Sequence, residues 1–277
     1  MALVWCDGKF IEEQDFRVSP YDRGLCHGLS LFETLLAVDG KPKLLPEHLE
    51  RMRDGFQRLG VDSIELDDAG LYGVMETLLD RNALLEGPAR LRFTLSLGEG
   101  ALNQTDSGRA WAWMTASPVQ KAAASIRVNE APWRKDTESV LRGLKVGNYA
   151  EHLIAMDMAR REGFGEMLFF NTQDELCEAA MANVFLIRGG GLLTPSLDSG
   201  CLAGVCRAMV IAIAREQGIP CVVKPLSRSD VAKADGMFLT SSVQGPVEVS
   251  YYGLKGYAPH SLFRTVSAEW AVRMGMK

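Results

Sequence analysis

No stretch of this sequence is a long apolar run; nothing approaches the roughly 18–20 residues a membrane span requires. The opening residues, MALVWCDGKF, lack the charged leader and extended apolar core of a secretory signal. Positive charge is in deficit: 30 Lys and Arg face 35 Asp and Glu, for a formal net charge of −5. That balance argues against general nucleic-acid binding, which needs a basic stripe. The six cysteines (Cys6, Cys26, Cys177, Cys201, Cys206 and Cys221) form no C-x-x-C pair. In a chain this long they read as free, mostly buried thiols rather than a disulfide frame or a zinc site. Internal repeats and low-complexity tracts are absent as well. These absences point to a cytoplasmic globular protein without a membrane, nucleic-acid or metal partner.

What is present is close to average. The 277 residues are 47% hydrophobic and 23% charged, enough for one large domain or two modest ones. LVWCDGKFI and LLAVDGKPKLL each hold Asp-Gly between apolar flanks, which predicts two hairpins. In PEHLERMRDGFQRLG, Pro46 suits a helix start and Gly60 a stop, with a stripe of Leu49, Met52, Phe56 and Leu59 between them. A second helix is expected over 67–85, then strands at ARLRFTLSLG and RAWAWMTAS around a polar, Gly-rich loop. SPVQKAAAS (117–125) reads as a linker, so the expected domains are 1–116 and 126–277. The second half predicts a strand near 126–131, a helix over 149–162, and strands at EMLFF, NVFLI and GLLTP. A helix over 203–217, strands at CVVK and GMFLTS, and a terminal helix from about 259 complete it. Strands and helices mix without strict βαβ alternation, so the expected class is α+β in two domains.

Some residues invite chemistry. Lys145, in LKVGNYAEHL, sits between apolar neighbours just before a helical pattern. It reads either as a loop lysine or as an amine held for reaction. GCLAGVCRAMVIAIA runs into an apolar helix, and Gly204 could let the N–H groups of Val205 and Cys206 face an anion. The alternative is an ordinary loop glycine. Thr240, Ser241 and Ser242 end a strand as a hydroxyl cluster that could share that anion or cap a turn. Glu178 lies among Cys177, Ala179 and Ala180, where a carboxylate is costly to bury without a positive partner. That partner could be a structural arginine, or a protonated ring nitrogen. Together, a lysine before a helix, a semi-buried carboxylate, a Gly-led helix start and a hydroxyl cluster fit one cofactor, pyridoxal 5'-phosphate.

The sequence also resembles the fold-type-IV pyridoxal-phosphate enzymes, which include branched-chain aminotransferases, D-amino acid aminotransferases and aminodeoxychorismate lyases. The blocks that carry the resemblance are SPYDRGLCHGLSLFETLLAVDGKPKLLPEHLERM, KVGNY, EAAMANVFLIRGGGLLTPSLDSGCLAGVCR and ADGMFLTSSVQGPVEV. They follow one another in order over nearly the whole chain. The resemblance implies two mixed α/β domains with the cofactor at their interface, and a homodimer. It implies that Lys145 is the Schiff-base lysine and that Glu178 faces the pyridine nitrogen. Arg51, the amides of Val205 and Cys206, and Ser242 would bind the phosphate, with Ser241 beside them. Leu202 would pack beneath the ring, and Tyr149 would lie near its phenolic oxygen.

The substrate half departs from the family pattern. Leu97 stands where D-amino acid aminotransferases carry an arginine for the substrate carboxylate. Phe32 replaces their active-site tyrosine, and Ser241 replaces an asparagine of the lyases. His27 replaces a common aromatic, as a substrate contact or as a packed histidine. The usual Thr-Pro-Val ending is here VEV, 247–249. With Leu97 in place, the carboxylate must be met by Ser241, backbone N–H groups, His27, or arginines such as Arg92 and Arg142. The expected activity is amino transfer between an amino acid and a 2-oxo acid. Aminodeoxychorismate lyase is the alternative, and a non-catalytic binding protein of the same fold is a more distant one.

Overall fold

A computed structural model of the chain describes residues 2–61, 66–101, 109–120 and 123–276. Residues 102–108 of the expected polar loop, and 121 and 122 of the expected linker, lie outside the described residues. The chain divides into two compact units. One is Met1–Gln120 with Leu144–Asn148; the other is Lys121–Gly143 with Tyr149–Lys277.

The first unit contains β1 (Leu3–Cys6), β2 (Lys9–Glu12), α1 (Arg23–His27), β3 (Ser30–Val38), β4 (Lys41–Pro42), α2 (Leu45–Arg58), α3 (Asp68–Arg81), β5 (Pro88–Ser96) and β6 (Trp111–Pro118). Its described strands form a six-stranded antiparallel sheet in the order β2-β1-β6-β5-β3-β4. Both Asp-Gly pairs make two-residue hairpin turns. Their φ values are all positive: 45° and 88° at Asp7 and Gly8, 50° and 73° at Asp39 and Gly40. A turn that matches strand twist requires this conformation, and Asp-Gly tolerates it. The apolar stripe of α2 buries Leu45, Leu49, Met52 and Phe56. The second helix stops at Arg81, short of the expected 85. There the Asn82 amide donates to Leu78 O and Leu3 O, its Oδ1 accepts from Leu3 N, and Ala83 turns to a φ of 55°.

Residues 144–148 join this sheet as a short extra pairing. Val146 bridges Leu31 in antiparallel sense. Phe32 N–H donates to Lys145 O at 3.0 Å, and Gly147 N–H donates to Ser30 O at 2.7 Å.

The second unit contains β7 (Ser125–Lys135), α4 (Ala150–Arg161), β8 (Glu166–Asn171), β9 (Leu176–Ala179), β10 (Asn183–Arg188), β11 (Gly191–Thr194), α5 (Val205–Glu216), β12 (Cys221–Val223), α6 (Arg228–Ala232), β13 (Gly236–Ser241), β14 (Gly245–Tyr252), β15 (Lys255–Gly256) and α7 (Ser261–Met274). Its nine described strands run in the order β12-β11-β10-β13-β14-β7-β8-β9, with β15 on β14. The sheet is mixed: β11–β12, β14–β7 and β7–β8 are parallel. Strand β14 is absent from the sequence-based expectation; it pairs antiparallel with its sequence neighbour β13 and parallel with the distant β7. The fold is thus α+β with two sheets, in agreement with the expected class. All six cysteines are free. Among the described residues no helix is long and apolar enough to cross a membrane.

The centre of the second sheet is an aromatic pair. Phe185 and Phe238 are directly opposed on β10 and β13, fully buried, with ring centroids 5.0 Å apart and planes 1° apart. Replacing Phe238 by Ala should destabilise this unit by about 3–5 kcal/mol. Urea unfolding followed by circular dichroism should show the lowered midpoint; an unchanged midpoint would mean the sheet does not depend on this pair.

Candidate active site

In the first unit, Lys145 is half-buried and placed by its backbone, through the β3 pairing. Its ammonium lies 4.5 Å from the centre of the Phe32 ring. The Arg92 guanidinium lies 3.8 Å from the centre of the same ring. Phe32 is 3% exposed. A buried ring face attracts cations through its quadrupole, so one aromatic gathers two positive groups.

Arg51, on α2, forks onto Glu33 of β3, with Nε 2.8 Å from Oε1 and Nη2 2.5 Å from Oε2. His48 Nδ1 is 2.6 Å from the same Oε2. Burial pushes the Glu33 carboxyl up, but the Arg51 charge and the hydrogen bonds from His48 and Arg51 outweigh it and hold it at about 2. Sequence reasoning names Arg51 but misses Glu33 and His48. One signal is available: Glu33 is an acid inside the apolar run SLFETLLAV.

Leu97 is buried just past the end of β5, and His27 is exposed at the end of α1. Leu97 O accepts from Arg23 Nη2 at 3.0 Å, so a buried arginine secures the backbone at this position.

In the second unit, Glu178 on β9 is 6% exposed. Its cationic partner is a lysine rather than a structural arginine: Lys135 Nζ donates to Oε1 at 2.9 Å. Leu202 N–H donates to Oε2 at 2.9 Å. Burial pushes the Glu178 carboxyl up; the Lys135 charge foremost, with the Leu202 amide, overrides this and holds it at about 2. For Lys135, burial alone would lower the pKa, but Glu178 shifts it upward overall. Glu178 is therefore an ionised carboxylate. Sequence reasoning misses both Lys135 and His152, since neither stands out among its neighbours. Tyr149, the N-cap of α4, stacks flat on His152, with ring centroids 4.1 Å apart.

Gly204 is the N-cap of α5 and offers no side-chain cap, so Val205 and Cys206 open the helix with bare amides. A Cβ at Gly204 would collide with Asn183 Oδ1, so only glycine permits this start. An uncapped helix start of twelve residues is an anion site in waiting. Burial pushes the Cys206 thiol up to about 12, which leaves its amide as the group available to an anion. Ser241 closes β13 and Ser242 follows it. The neighbouring Thr240 Oγ1 is buried with no partner among the described residues. Arg142 is tied to Thr137 O. The uncapped start, the glycine that creates it and the orphaned hydroxyl fit a phosphate group, and the ionised Glu178 fits a protonated ring nitrogen.

One buried acid behaves in the opposite way. Burial pushes Glu166 up to about 8, from an ordinary value of 4.5; backbone N–H groups, including Met181 at 3.3 Å, only partly offset it. Between those two values the folded chain holds a proton that the unfolded chain has lost, so this group's contribution to stability falls as pH rises through the window. Glu33 and Glu178 act below it: their contribution is present above 4.5 and lost as pH falls through about 2. Replacing Glu166 by Gln should flatten the decline in stability between about pH 5 and pH 8. Chemical denaturation at several pH values checks this, and an unchanged slope would contradict it.

The profile described as amino-transferase class IV matches residues 30–252, well over half of the chain. A Methanocaldococcus jannaschii protein, whose name carries a provisional branched-chain-amino-acid aminotransferase assignment, is 30% identical over 249 residues. That alignment covers 89% of this chain and 86% of the relative. The aminodeoxychorismate lyase of Bacillus subtilis is 26% identical over 275 residues, covering 94% of this chain and 92% of the lyase. Among solved structures, the T.th. branched-chain amino acid aminotransferase with pyridoxamine 5'-phosphate superposes with a TM-score of 0.88. It is 23% identical and covers 100% of this chain and 95% of that one, a likeness of fold. This chain belongs to the class IV aminotransferase family.

Proposed function

We propose that the protein is a pyridoxal-phosphate-dependent aminotransferase that moves an amino group between an amino acid and a 2-oxo acid, with Lys145 as its reactive amine. The observation that carries this reading is the Phe32 ring, with the Lys145 ammonium on it at 4.5 Å and the Arg92 guanidinium at 3.8 Å. Both substrates carry a carboxylate, and Arg92 supplies a cation on the same ring that carries the amine. The pyridoxamine 5'-phosphate named with the T.th. aminotransferase supports the same assignment.

Bound pyridoxal phosphate supplies an aldehyde and an electron-accepting ring. Lys145 would hold the cofactor through its amine and, once displaced from it by the substrate's amino group, its freed Nζ would take a proton from the substrate Cα and return one. Glu178, ionised, keeps a proton on the ring nitrogen. The amides of Val205 and Cys206, the hydroxyls of Ser241 and Ser242, and Arg51 hold the phosphate. Leu202 supports the ring, and Tyr149 serves the phenolic oxygen. Phe32, Leu97 and His27 border the substrate, and the working protein is a homodimer.

The second reading is aminodeoxychorismate lyase. It is favoured by the Bacillus subtilis relative, whose alignment takes in 94% of this chain. The same residues would serve it; elimination of pyruvate would replace amino transfer. Incubation with aminodeoxychorismate, beside L- and D-amino acids with 2-oxoglutarate, separates the two by product.

Two outcomes are expected. Borohydride should fix the cofactor covalently on Lys145, and replacing Lys145 by Ala should cut turnover on the order of 10²–10⁴-fold. A label on any other lysine would sink the assignment. The unmodified protein should turn over D-alanine poorly, because Leu97 offers no cation to the carboxylate. Fast D-alanine transamination would reduce Leu97 to a packing residue.

A further inference from the structure

His152, on α4, has no role in the assignment above, yet it touches two of the residues that surround Glu178 and the ring. Its Nε2 lies 3.1 Å from Lys135 Nζ and 3.9 Å from Glu178 Oε1. The same ammonium donates to Glu178 Oε1 at 2.9 Å. An ammonium offers only donors, so the imidazole must accept. That requires the neutral ring with its proton on Nδ1. Nδ1 is buried and has no partner among the described residues. An unsatisfied buried donor is destabilising, so this tautomer is held by what Nε2 accepts.

The ring's faces and edge are used differently. One face lies flat on Tyr149, with centroids 4.1 Å apart and planes at 7°. Its edge meets Phe169 at 5.4 Å and 75°. Around the cluster, Lys135 comes from β7, Glu178 and Cys177 from β9, and Glu151 and Tyr149 from the start of α4. Lys135 is the cation of this set that meets Glu178, so the charge on Glu178 depends on where that ammonium is held.

We propose that neutral His152 is a positioning residue. Its edge holds the Lys135 ammonium on Glu178, and its face sets the Tyr149 ring. One side chain thereby ties the carboxylate assigned to the ring nitrogen to the phenol assigned to the ring oxygen. The functional consequence rests on the cofactor reading; the placement of His152 does not.

Two substitutions separate the edge from the face. His152→Phe keeps a flat ring for Tyr149 and removes the acceptor. His152→Gln keeps an acceptor for Lys135 and removes the stacking ring. In the parent protein without cofactor, nitrogen-15 spectra of the imidazole should show Nδ1 protonated and Nε2 bare at neutral pH. An imidazolium, or a ring protonated on Nε2, would overturn the proposal even if neither variant folds. In cofactor-loaded protein, the pH midpoint of the visible absorption band reads the charge around Glu178. It should move by about half a unit or more in His152→Phe and stay at the parent value in His152→Gln. Parent-like midpoints in both variants would also overturn it. If the parent takes up no cofactor, it is the cofactor reading that fails, and the nitrogen spectra still decide the placement of His152.

Discussion

A carboxylate leaves water only at a cost of several kcal/mol unless a cation meets it, and each unit of this chain holds a buried carboxylate met in this way. Glu33 is met by Arg51 and His48 from α2. Glu178 is met by Lys135 from β7 and by the Leu202 amide. In both cases a neighbouring element supplies the charge, so each pair ties a strand to the structure beside it. Both carboxyls are held near 2 and stay ionised at any ordinary pH. Glu166 shows the opposite case: buried with only backbone N–H groups to meet it, it rises to about 8. The contrast explains why a fixed negative charge is available at Glu178 and not at Glu166.

Lys145 is placed by a different device. Its backbone is, in effect, a fragment of strand on β3. Its ammonium rests on Phe32, which also draws in Arg92. This placement suits the role proposed for Lys145, since a reacting amine is better fixed by its main chain than by its own nitrogen. Gly147 allows the approach, since a Cβ there would collide with Ser30 Oγ. The candidate phosphate site follows the same logic: Gly204 provides bare amides by having no side chain at all.

Local signals make much of the fold legible. The Asp-Gly turns, the α2 stripe bounded by Pro46 and Gly60, and the Gly-led start of α5 each depend on residues within one turn or one hairpin. They read correctly because the physics that forms them is equally local. The end of α3 escapes such a reading because Asn82 answers to Leu3, far away in the chain. In the candidate site, Lys145, Glu178 and Gly204 can be picked out by their unusual neighbours. Lys135 and His152 cannot, since a lysine ending a strand and a histidine in a helix are unremarkable until they meet.

The order of residues along the chain was enough to settle the α+β class, the hairpins, the principal helices and the residue types that suit the cofactor. Folding was needed to settle which groups neutralise or neighbour one another: Lys135 on Glu178, His48 and Arg51 on Glu33, and Arg92 and Lys145 each on Phe32. The difference is one of range. Turn and helix preferences act over a few residues, whereas a buried charge takes whichever partner the folded chain brings within about 3 Å.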